Sequence, residues 1–344
     1  MFENASIAIM YAVTPCHAGS GSALGVVDLP IQRERHTNWP MIQASGVKGA
    51  FRANFDRFAQ NNLKSEQIGE NQRKDFELLT QRIFGTDSYL YNDENDLDEN
   101  GKPRKKLVNG GESFAGSCSI SDARILAYPM RSNVSPFVWI TCPAVLKRFA
   151  RDLKIAGMKT LFDANRFSVK DEKAIWIINS TNSKDDTVLL EDFEVNIDKD
   201  EQMDSEVNNL KEYFKRPKDD NKNEHEILAE RLLLVSDKVF NYGVTDCTQI
   251  MAQIKIKSDT GTTEEGSLRY QEELPSDTIM YTVIHWGDSK NLIEEKDEQE
   301  TDIMKKKLKA ETIRTFITEN VIRNHIQIAG DETCGRGIFQ LTWK

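Results

Sequence analysis

Segments of strand-like and helix-like composition alternate along the chain, and this alternation constrains its fold most strongly. The first segment, SIAIMYAVT (6–14), is rich in residues that favour β-strands. The second, ASGVKGAFRANFDRFAQ (44–60), has apolar residues at helical spacing and predicts a helix. Further strands are expected at 122–130 and 173–180, and a further helix at 142–153. A repeated strand–helix–strand order is typical of ferredoxin-like folds, so we expect an α+β protein.

Two β-hairpins are expected nearer the C-terminus. IMAQIKIKSDTGTTEEGSLRYQEEL (250–274) alternates apolar and polar residues around the turn-forming residues SDTGTTEEG. HIQIAGDETCGRGIFQLTWK (325–344) has the pattern of a strand, a glycine loop and a strand. Helical structure is expected at 298–320 and in part of 228–243.

Much of the acidic charge lies in two stretches that we interpret as insertions. A charged loop is expected at about 86–112 and an acidic insertion at about 181–226, both within a single domain over 1–344. The net charge of -10 argues against a nucleic-acid partner. Residues 1–60, however, carry five Lys/Arg and four Asp/Glu, so the composition does not exclude a local basic surface there.

The five cysteines are scattered along the chain and include no CxxC pair. This pattern favours reduced thiols and a cytoplasmic protein over a disulfide framework or a zinc site. No apolar run approaches the roughly 20 residues of a membrane-spanning helix, and the first residues lack the basic region of a signal peptide. We therefore expect no membrane partner.

The stretch SGVKGAFR (45–52) is the first candidate for binding chemistry. Glycines at a helix start allow another backbone to approach closely, and the exposed N–H groups there favour an anion. The serine is expected to cap the helix, and the two cations, four residues apart, share one face. The residues concerned are Ser45, Gly46, Lys48, Gly49 and Arg52. A cradle for RNA phosphates and an ordinary capped helix both remain open, and the second is the commoner outcome.

The stretch GDETCGRGIF (330–339) is the second candidate. Its glycines and its cation suit a loop that approaches a nucleic-acid backbone, with Gly330, Gly335 and Arg336 as the binding residues. A tight turn that needs glycine for a positive φ is the alternative.

The loop HAGSGSALGVVDLP (17–30) is the third candidate, because it is built almost entirely of small residues. His17 is either a general base or a surface histidine. Asp28 is either a catalytic carboxylate or a turn residue that bonds its own backbone. No second acid is close in sequence, so a preformed two-metal centre is not indicated.

Together these stretches resemble a known family. VTPCHAGSGSALGVVDLPIQRERHTNWPMIQASGVKGAFR (13–52) closely resembles the start of the backbone RAMP subunits of type III-B CRISPR effector complexes, the Cmr complexes. Later stretches resemble later family blocks in the same order, and they are SISDARILAYPMRS, FVWITCPAVLKRF, LRYQEELPSDT and GDETCGRG. The acidic stretches 91–100 and 185–206 do not match the family.

The resemblance implies a RAMP fold, with an RRM/ferredoxin-like core, long insertions and a thumb-like β-hairpin that we place near 250–272. It implies copies of the chain stacked in a helical filament along a CRISPR RNA, together with the other Cmr subunits. The family subunit is the endoribonuclease that cuts guide-paired target RNA at regular intervals. Its thumb wedges into the guide–target duplex and displaces a base pair.

The resemblance also implies roles for single residues. The catalytic aspartate of the family matches Asp28, the loop histidine matches His17, and the lysine on the guide backbone matches Lys48. Tyr270 and Glu272 lie beside the thumb, where assistance in catalysis and a structural role at the hairpin base stay open. We expect attack by the 2′-hydroxyl, a 2′,3′-cyclic phosphate product and a weakly bound Mg²⁺ or Mn²⁺, with Asp28 as its candidate ligand.

Two alternatives stay open. The chain is either this nuclease or a non-catalytic scaffold that covers guide RNA while another subunit cuts. A guide-processing endoribonuclease that acts alone on precursor RNA is a further alternative, although such enzymes usually depend on histidine-centred chemistry.

Overall fold

A computed structural model describes residues 4–63, 76, 79–85, 90–97, 103–107, 115–179, 186–198, 204–218, 221–289 and 307–344. The chain forms two compact units. The smaller contains Met1–Asn4, Phe51–Ser119 and Ile284–Arg323, and the larger contains Ala5–Ala50, Ile120–Val283 and Asn324–Lys344. Neither unit is continuous in sequence. The single domain expected over 1–344 stays a prediction. In the described part of the chain, no helix combines the length and the apolar character needed to cross a bilayer.

The strands, in chain order, are β1 (Asn4–Ala12), β2 (Met41–Ile42), β3 (Leu90–Leu97), β4 (Pro103–Leu107), β5 (Cys118–Ile120), β6 (Ala123–Arg131), β7 (Phe137–Thr141), β8 (Lys173–Asn179), β9 (Thr187–Leu190), β10 (Phe193–Ile197), β11 (Lys215–Lys218), β12 (Asn221–Ile227), β13 (Arg231–Val235), β14 (Gln249–Gln253), β15 (Arg269–Glu273), β16 (Ile279–Trp286), β17 (His325–Gln327) and β18 (Ile338–Trp343). The helices are α1 (Ala44–Leu63), α2 (Pro143–Ile155), α3 (Asp204–Lys211), α4 (Asp237–Asp246) and α5 (Ala310–Phe316), which a π-helical turn extends over Ile317–Val321. Residues 79–84 are also helical.

A mixed sheet forms the framework of the larger unit. Its strand order is β17-β18-β1-β16-β6-β7-β13-β8-β10-β9, with β2 paired to β6. Strand β1 pairs antiparallel with β18 at the C-terminus, whereas β7 and β13 are parallel. The central strands are buried over most of their length. The expected α+β class is confirmed.

Helices α2 and α4 contribute to the core of this unit. Helix α2 has proline in its first turn, as predicted, and its Phe149 ring packs edge-on against Tyr281 of β16, with centroids 4.8 Å apart. Helix α4 approaches β6 closely at Gly243, where an added Cβ would lie 2.7 Å from the Met130 sulfur. A larger residue at position 243 would therefore push this helix away from the sheet.

In the smaller unit, aromatic rings of helix α1 pack against later segments. Phe55 lies 5.8 Å from Phe84 and 6.2 Å from Phe316, and Phe58 lies 5.8 Å from Phe316, all edge-on. The predicted spacing of apolar residues along this helix is confirmed by burial of Phe51 and Phe55.

The start of helix α1 differs from the prediction. Ala44 donates its N–H to the carboxylate of Asp122 over 2.8 Å, and the Gln43 carbonyl accepts the N–H groups of Gly46 and Val47. The prediction that Ser45 caps the helix is wrong, because an acidic residue 78 positions later supplies an acceptor.

The two insertions contain more regular structure than expected. The predicted loop at 86–112 holds the β3–β4 hairpin, whose register places Asp93 opposite Arg104. A charge-rich stretch is therefore compatible with strands. In the acidic insertion, β10 joins the main sheet beside β8. The hairpin expected at 250–274 is confirmed as β14 and β15, and the expected helix at 298–320 is confirmed where it is described.

Candidate functional site

Strand β15 is the place where the predicted site stretches meet. One edge of β15 pairs with β14, with Gln249 opposite Glu273. The other edge binds both ends of the loop 17–30. Cys16 and Leu274 exchange two backbone hydrogen bonds of 2.9 Å, and Leu29 bonds to Tyr270 and Glu272. Residues 241 or more positions apart are thereby brought onto one strand edge.

Asp28 is held at this edge by its backbone and by its side chain. Its N–H donates to the Tyr270 carbonyl over 3.1 Å, and its Oδ2 accepts the Tyr270 N–H over 2.7 Å. Within the described part of the chain, the second carboxylate oxygen, Oδ1, has no hydrogen-bond partner. The carboxylate is therefore oriented by the strand and keeps one oxygen for a ligand.

His17 is oriented by the same strand, two residues further along. Its Nδ1 lies 2.7 Å from the carbonyl oxygen of Glu272. A carbonyl can only accept, so Nδ1 carries the proton and Nε2 of the neutral ring carries the lone pair. Alternate residues of a strand are about 7 Å apart, so His17 and Asp28 dock at neighbouring positions on one edge.

The absence of a side chain at Gly19 leaves space beside Nε2 of His17. A Cβ added to Gly19 would lie 2.8 Å from Nε2, which is closer than real Cβ atoms come. Beyond this point the loop is exposed from Ser20 to Val26, and Leu24 is fully exposed. The small residues thus form an open surface beside the two polar side chains.

Glu272 acts as an internal anchor of the loop. Its side chain is buried and accepts hydrogen bonds from the Ile31 N–H over 3.0 Å, from Arg33 over 2.5 Å and from the Thr248 hydroxyl over 2.7 Å. Burial raises the pKa of the Glu272 carboxyl, but these hydrogen bonds and the Arg33 charge outweigh it, so the pKa is lowered. This geometry favours the structural alternative for Glu272.

Tyr270 is connected to Asp28 through its backbone, and its side chain is 40% exposed. It belongs to a set of exposed apolar side chains on the hairpin. The others are Ile250, Met251, Ile254, Ile256 and Leu268. Exposed apolar side chains, and the Tyr270 ring in particular, suit contacts with unstacked bases.

The glycine loop between β17 and β18 packs against the same region. Gly330 donates its N–H to the His17 carbonyl over 3.2 Å. Arg336 forms an ion pair of 3.0 Å with Glu273, which is fully buried. Gly335 has a φ of +72°, as the tight-turn alternative requires. Gly337 was not among the predicted residues, and an added Cβ there would lie 1.9 Å from the Ile328 carbonyl oxygen.

The start of helix α1 presents small residues to solvent. Ser45, Gly46 and Gly49 are exposed, and Lys48 is half-buried. An added Cβ at Gly49 would meet no atom within 4 Å, so crowding inside the described chain does not account for this glycine. Arg52, predicted beside Lys48, donates to the Gly85 carbonyl over 3.1 Å and so has an internal partner.

The donor set at the loop fits a divalent cation only in part. The described residues include no group of three or more His, Cys, Asp or Glu side chains that could hold a metal ion. A single carboxylate oxygen with substrate phosphates is nevertheless a common way in which proteins hold Mg²⁺. The predicted cation stays a prediction, with Asp28 as its one protein ligand.

Comparison with known proteins gives a consistent result. A family model of the RAMP superfamily matches residues 9–340. The CRISPR system Cmr endoribonuclease Cmr4 of Pyrococcus furiosus is 30% identical over 337 residues, 97% of this chain and 94% of that protein. The CRISPR system CMR subunit Cmr4 of Saccharolobus solfataricus is 23% identical and covers 96% of this chain and 94% of its own length.

Two solved structures show the same fold. The crystal structure of oligomeric Cmr4 from Pyrococcus furiosus has a TM-score of 0.60 at 24% identity and covers 99% of this chain and 97% of its own. The cryo-EM structure of a type III-B Cmr-beta complex bound to cognate target RNA contains a chain with a TM-score of 0.61 at 20% identity. The match covers 99% of this chain and 98% of that one. The predicted RAMP fold is confirmed.

Proposed function

Because the chain belongs to the RAMP superfamily, and within it to the family of Cmr4, we propose that it is a repeated backbone subunit of a type III-B CRISPR effector complex. Copies of it bind CRISPR RNA as a helical filament, together with other Cmr subunits. Each copy cleaves complementary target RNA, so the cuts fall at regular intervals. The observation that carries the proposal is the Asp28 carboxylate, held on β15 with one oxygen open beside His17.

The proposed reaction uses the nucleophile that RNA itself contains. The 2′-oxygen bonds to the adjacent phosphorus, the bond from phosphorus to the 5′-oxygen breaks, and a 2′,3′-cyclic phosphate forms. Asp28 Oδ1 accepts the proton of the 2′-hydroxyl, and the 5′-oxygen that leaves takes one proton from water. His17 Nε2 is the second acid–base group and supplies that proton when the ring is protonated. A divalent cation held by Asp28 and target phosphates would neutralise negative charge as it develops.

Besides acid–base assistance, alignment of the reacting atoms accelerates the reaction. In a regular duplex the 2′-oxygen is poorly aligned with the leaving oxygen. The exposed apolar residues of the β14–β15 hairpin are suited to displace one nucleotide, and the open loop has room for the bent backbone. Good alignment lowers the activation free energy by several kcal/mol, up to about 7–11 kcal/mol in ideal cases.

The proposal is tested with the assembled complex, loaded with guide and incubated with complementary or unrelated RNA. We expect only the complementary RNA to be cut, into fragments that differ by a constant interval. Bound but uncut target would instead support the scaffold alternative. Cleavage of repeat RNA by the isolated chain would support guide processing.

Gly19→Ala is expected to slow target cleavage by at least about tenfold, because the new methyl group obstructs His17 Nε2. The φ of Gly19 lies outside the left-handed region, so alanine fits the backbone there. Gly25→Ala is the matched control in the same loop, since its Cβ meets nothing within 4 Å. Single-turnover cleavage rates compare the two variants, and equal rates would remove Nε2 from the mechanism.

Lys48→Ala is expected to weaken guide RNA binding about tenfold at low salt, the equivalent of one charged hydrogen bond. The slope of log affinity against log salt should also become shallower by about 0.7, as for one lost contact to a single-stranded phosphate. Lys238→Ala, on the exposed side of α4, is the control. A titration at several salt concentrations with an unchanged slope would contradict a phosphate role for Lys48.

A further inference from the structure

Gln32 connects the two regions to which the proposed function assigns RNA chemistry. It lies just after the loop 17–30 and is half-buried. All of its hydrogen-bonding groups, in the backbone and in the side chain, bond to two segments. One segment follows His17, and the other leads into helix α1. We propose that Gln32 is a positioning residue that fixes the cleavage loop relative to the guide-binding helix start, and so determines which phosphodiester bond is cut.

On the loop side, Gln32 binds the two residues after His17. Its N–H donates to the Ala18 carbonyl over 2.7 Å, and its Nε2 donates to the Gly19 carbonyl over 3.1 Å. The same pairing continues outward, where Ser20 donates to the Pro30 carbonyl over 3.0 Å. Gln32 thus closes the base of the loop whose two arms carry His17 and Asp28.

On the helix side, Gln32 binds the residues that precede α1. Its carbonyl accepts the Met41 N–H over 3.0 Å, and its Oε1 accepts the Gln43 N–H over 2.8 Å. The Gln43 carbonyl in turn accepts the first N–H groups of the helix, those of Gly46 and Val47. The side-chain amide of Gln32 is therefore one residue away from the backbone that starts the proposed guide site.

This connection has a consequence for the cut site. The inference rests on the proposed function, in which the helix start holds guide phosphates and Asp28 acts on the paired target strand. Base pairing fixes the target against the guide, so the distance from the helix start to Asp28 selects the bond that is cut. A displacement of about 1 Å at a reacting group can cost roughly 10²-fold in rate. A side chain that fixes this distance affects the position and rate of cleavage more than guide binding.

The test uses the guide-loaded complex with Gln32→Met and Gln32→Glu. Methionine has a similar shape and loses both side-chain bonds, but the two backbone bonds remain. Glutamate keeps an acceptor for the Gln43 N–H and loses the donor to Gly19. Gln60→Met, at an exposed position of α1, is the matched control.

At equal guide occupancy, we expect Gln32→Met to cut about tenfold more slowly and at neighbouring phosphodiester bonds as well. Gln32→Glu should be at least as slow, because its carboxylate oxygen would face the Gly19 carbonyl oxygen. The 5′ ends of the fragments are mapped at single-nucleotide resolution. An unchanged rate and pattern would overturn the inference, and so would a parallel loss of guide binding and thermal stability, which marks a merely structural role. Absence of cleavage by the wild-type complex would overturn the proposed function itself.

Discussion

Asp28→Asn is expected to reduce target cleavage by about 10²–10⁴-fold, the usual contribution of a positioned acid–base group. The amide oxygen of asparagine can still accept the Tyr270 N–H, so the loop should keep its place on β15. Proton acceptance at Oδ1, and any binding of a cation there, are lost. Guide binding and filament assembly should be unchanged, because neither uses this carboxylate.

The control for this variant is Asp171→Asn, which removes an exposed carboxylate in the turn before β8. Single-turnover cleavage and native mass spectrometry of the complex measure the two effects separately. Wild-type cleavage by Asp28→Asn would remove Asp28 from the mechanism. Loss of assembly together with cleavage would assign Asp28 a structural role only.

Glu272→Ala is expected to lower the free energy of unfolding of the full chain by about 3–5 kcal/mol, the cost of breaking a buried ion pair from one side. Arg33, whose side chain is 15% exposed, would then be left without its carboxylate partner. The Ile31 N–H and the Thr248 hydroxyl would lose their acceptor as well. Denaturant unfolding monitored by circular dichroism measures the loss.

Glu264→Ala, which breaks an exposed pair with Lys255 on the same hairpin, is the control and should cost at most about 1 kcal/mol. An equally small effect of Glu272→Ala, combined with lost cleavage, would support a catalytic role for Glu272 instead of an anchoring one.

The lowered pKa of Glu272 also predicts a pH dependence. A carboxyl whose pKa is lower in the folded state stabilises the protein above its ordinary pKa of 4.5. That contribution is lost as the pH falls through the lowered folded-state pKa. Glu272→Gln, which does not titrate, should therefore lose less stability than the wild type on acidification from about pH 5.

The local elements were predictable because their signals lie within short stretches. Apolar periodicity placed helix α1 and strand β1, and alternation around a turn-forming segment placed the β14–β15 hairpin. The resemblance to the family singled out Asp28, His17 and Lys48.

The assembly of the site was not predictable, because its contacts join distant residues. The orientation of Asp28 depends on a backbone N–H 242 positions away, and that of His17 on a carbonyl 255 positions away. Gln32 and Arg33 look like ordinary polar residues in the sequence, and their roles emerge only when β15 and helix α1 are in place. The wrong cap prediction at Ser45 has the same cause, since the carboxylate of Asp122 accepts from the helix start in place of the predicted serine hydroxyl.

The central claim is that this subunit cuts target RNA through the 2′-hydroxyl, assisted by one oriented carboxylate. Mass spectrometry of the fragments released by the wild-type, guide-loaded complex tests it most directly, because it identifies the chemical group at each new 3′ end. The account predicts 2′,3′-cyclic phosphates with 5′-hydroxyl partners. Fragments with 3′-hydroxyl and 5′-phosphate ends would show attack by water and contradict it.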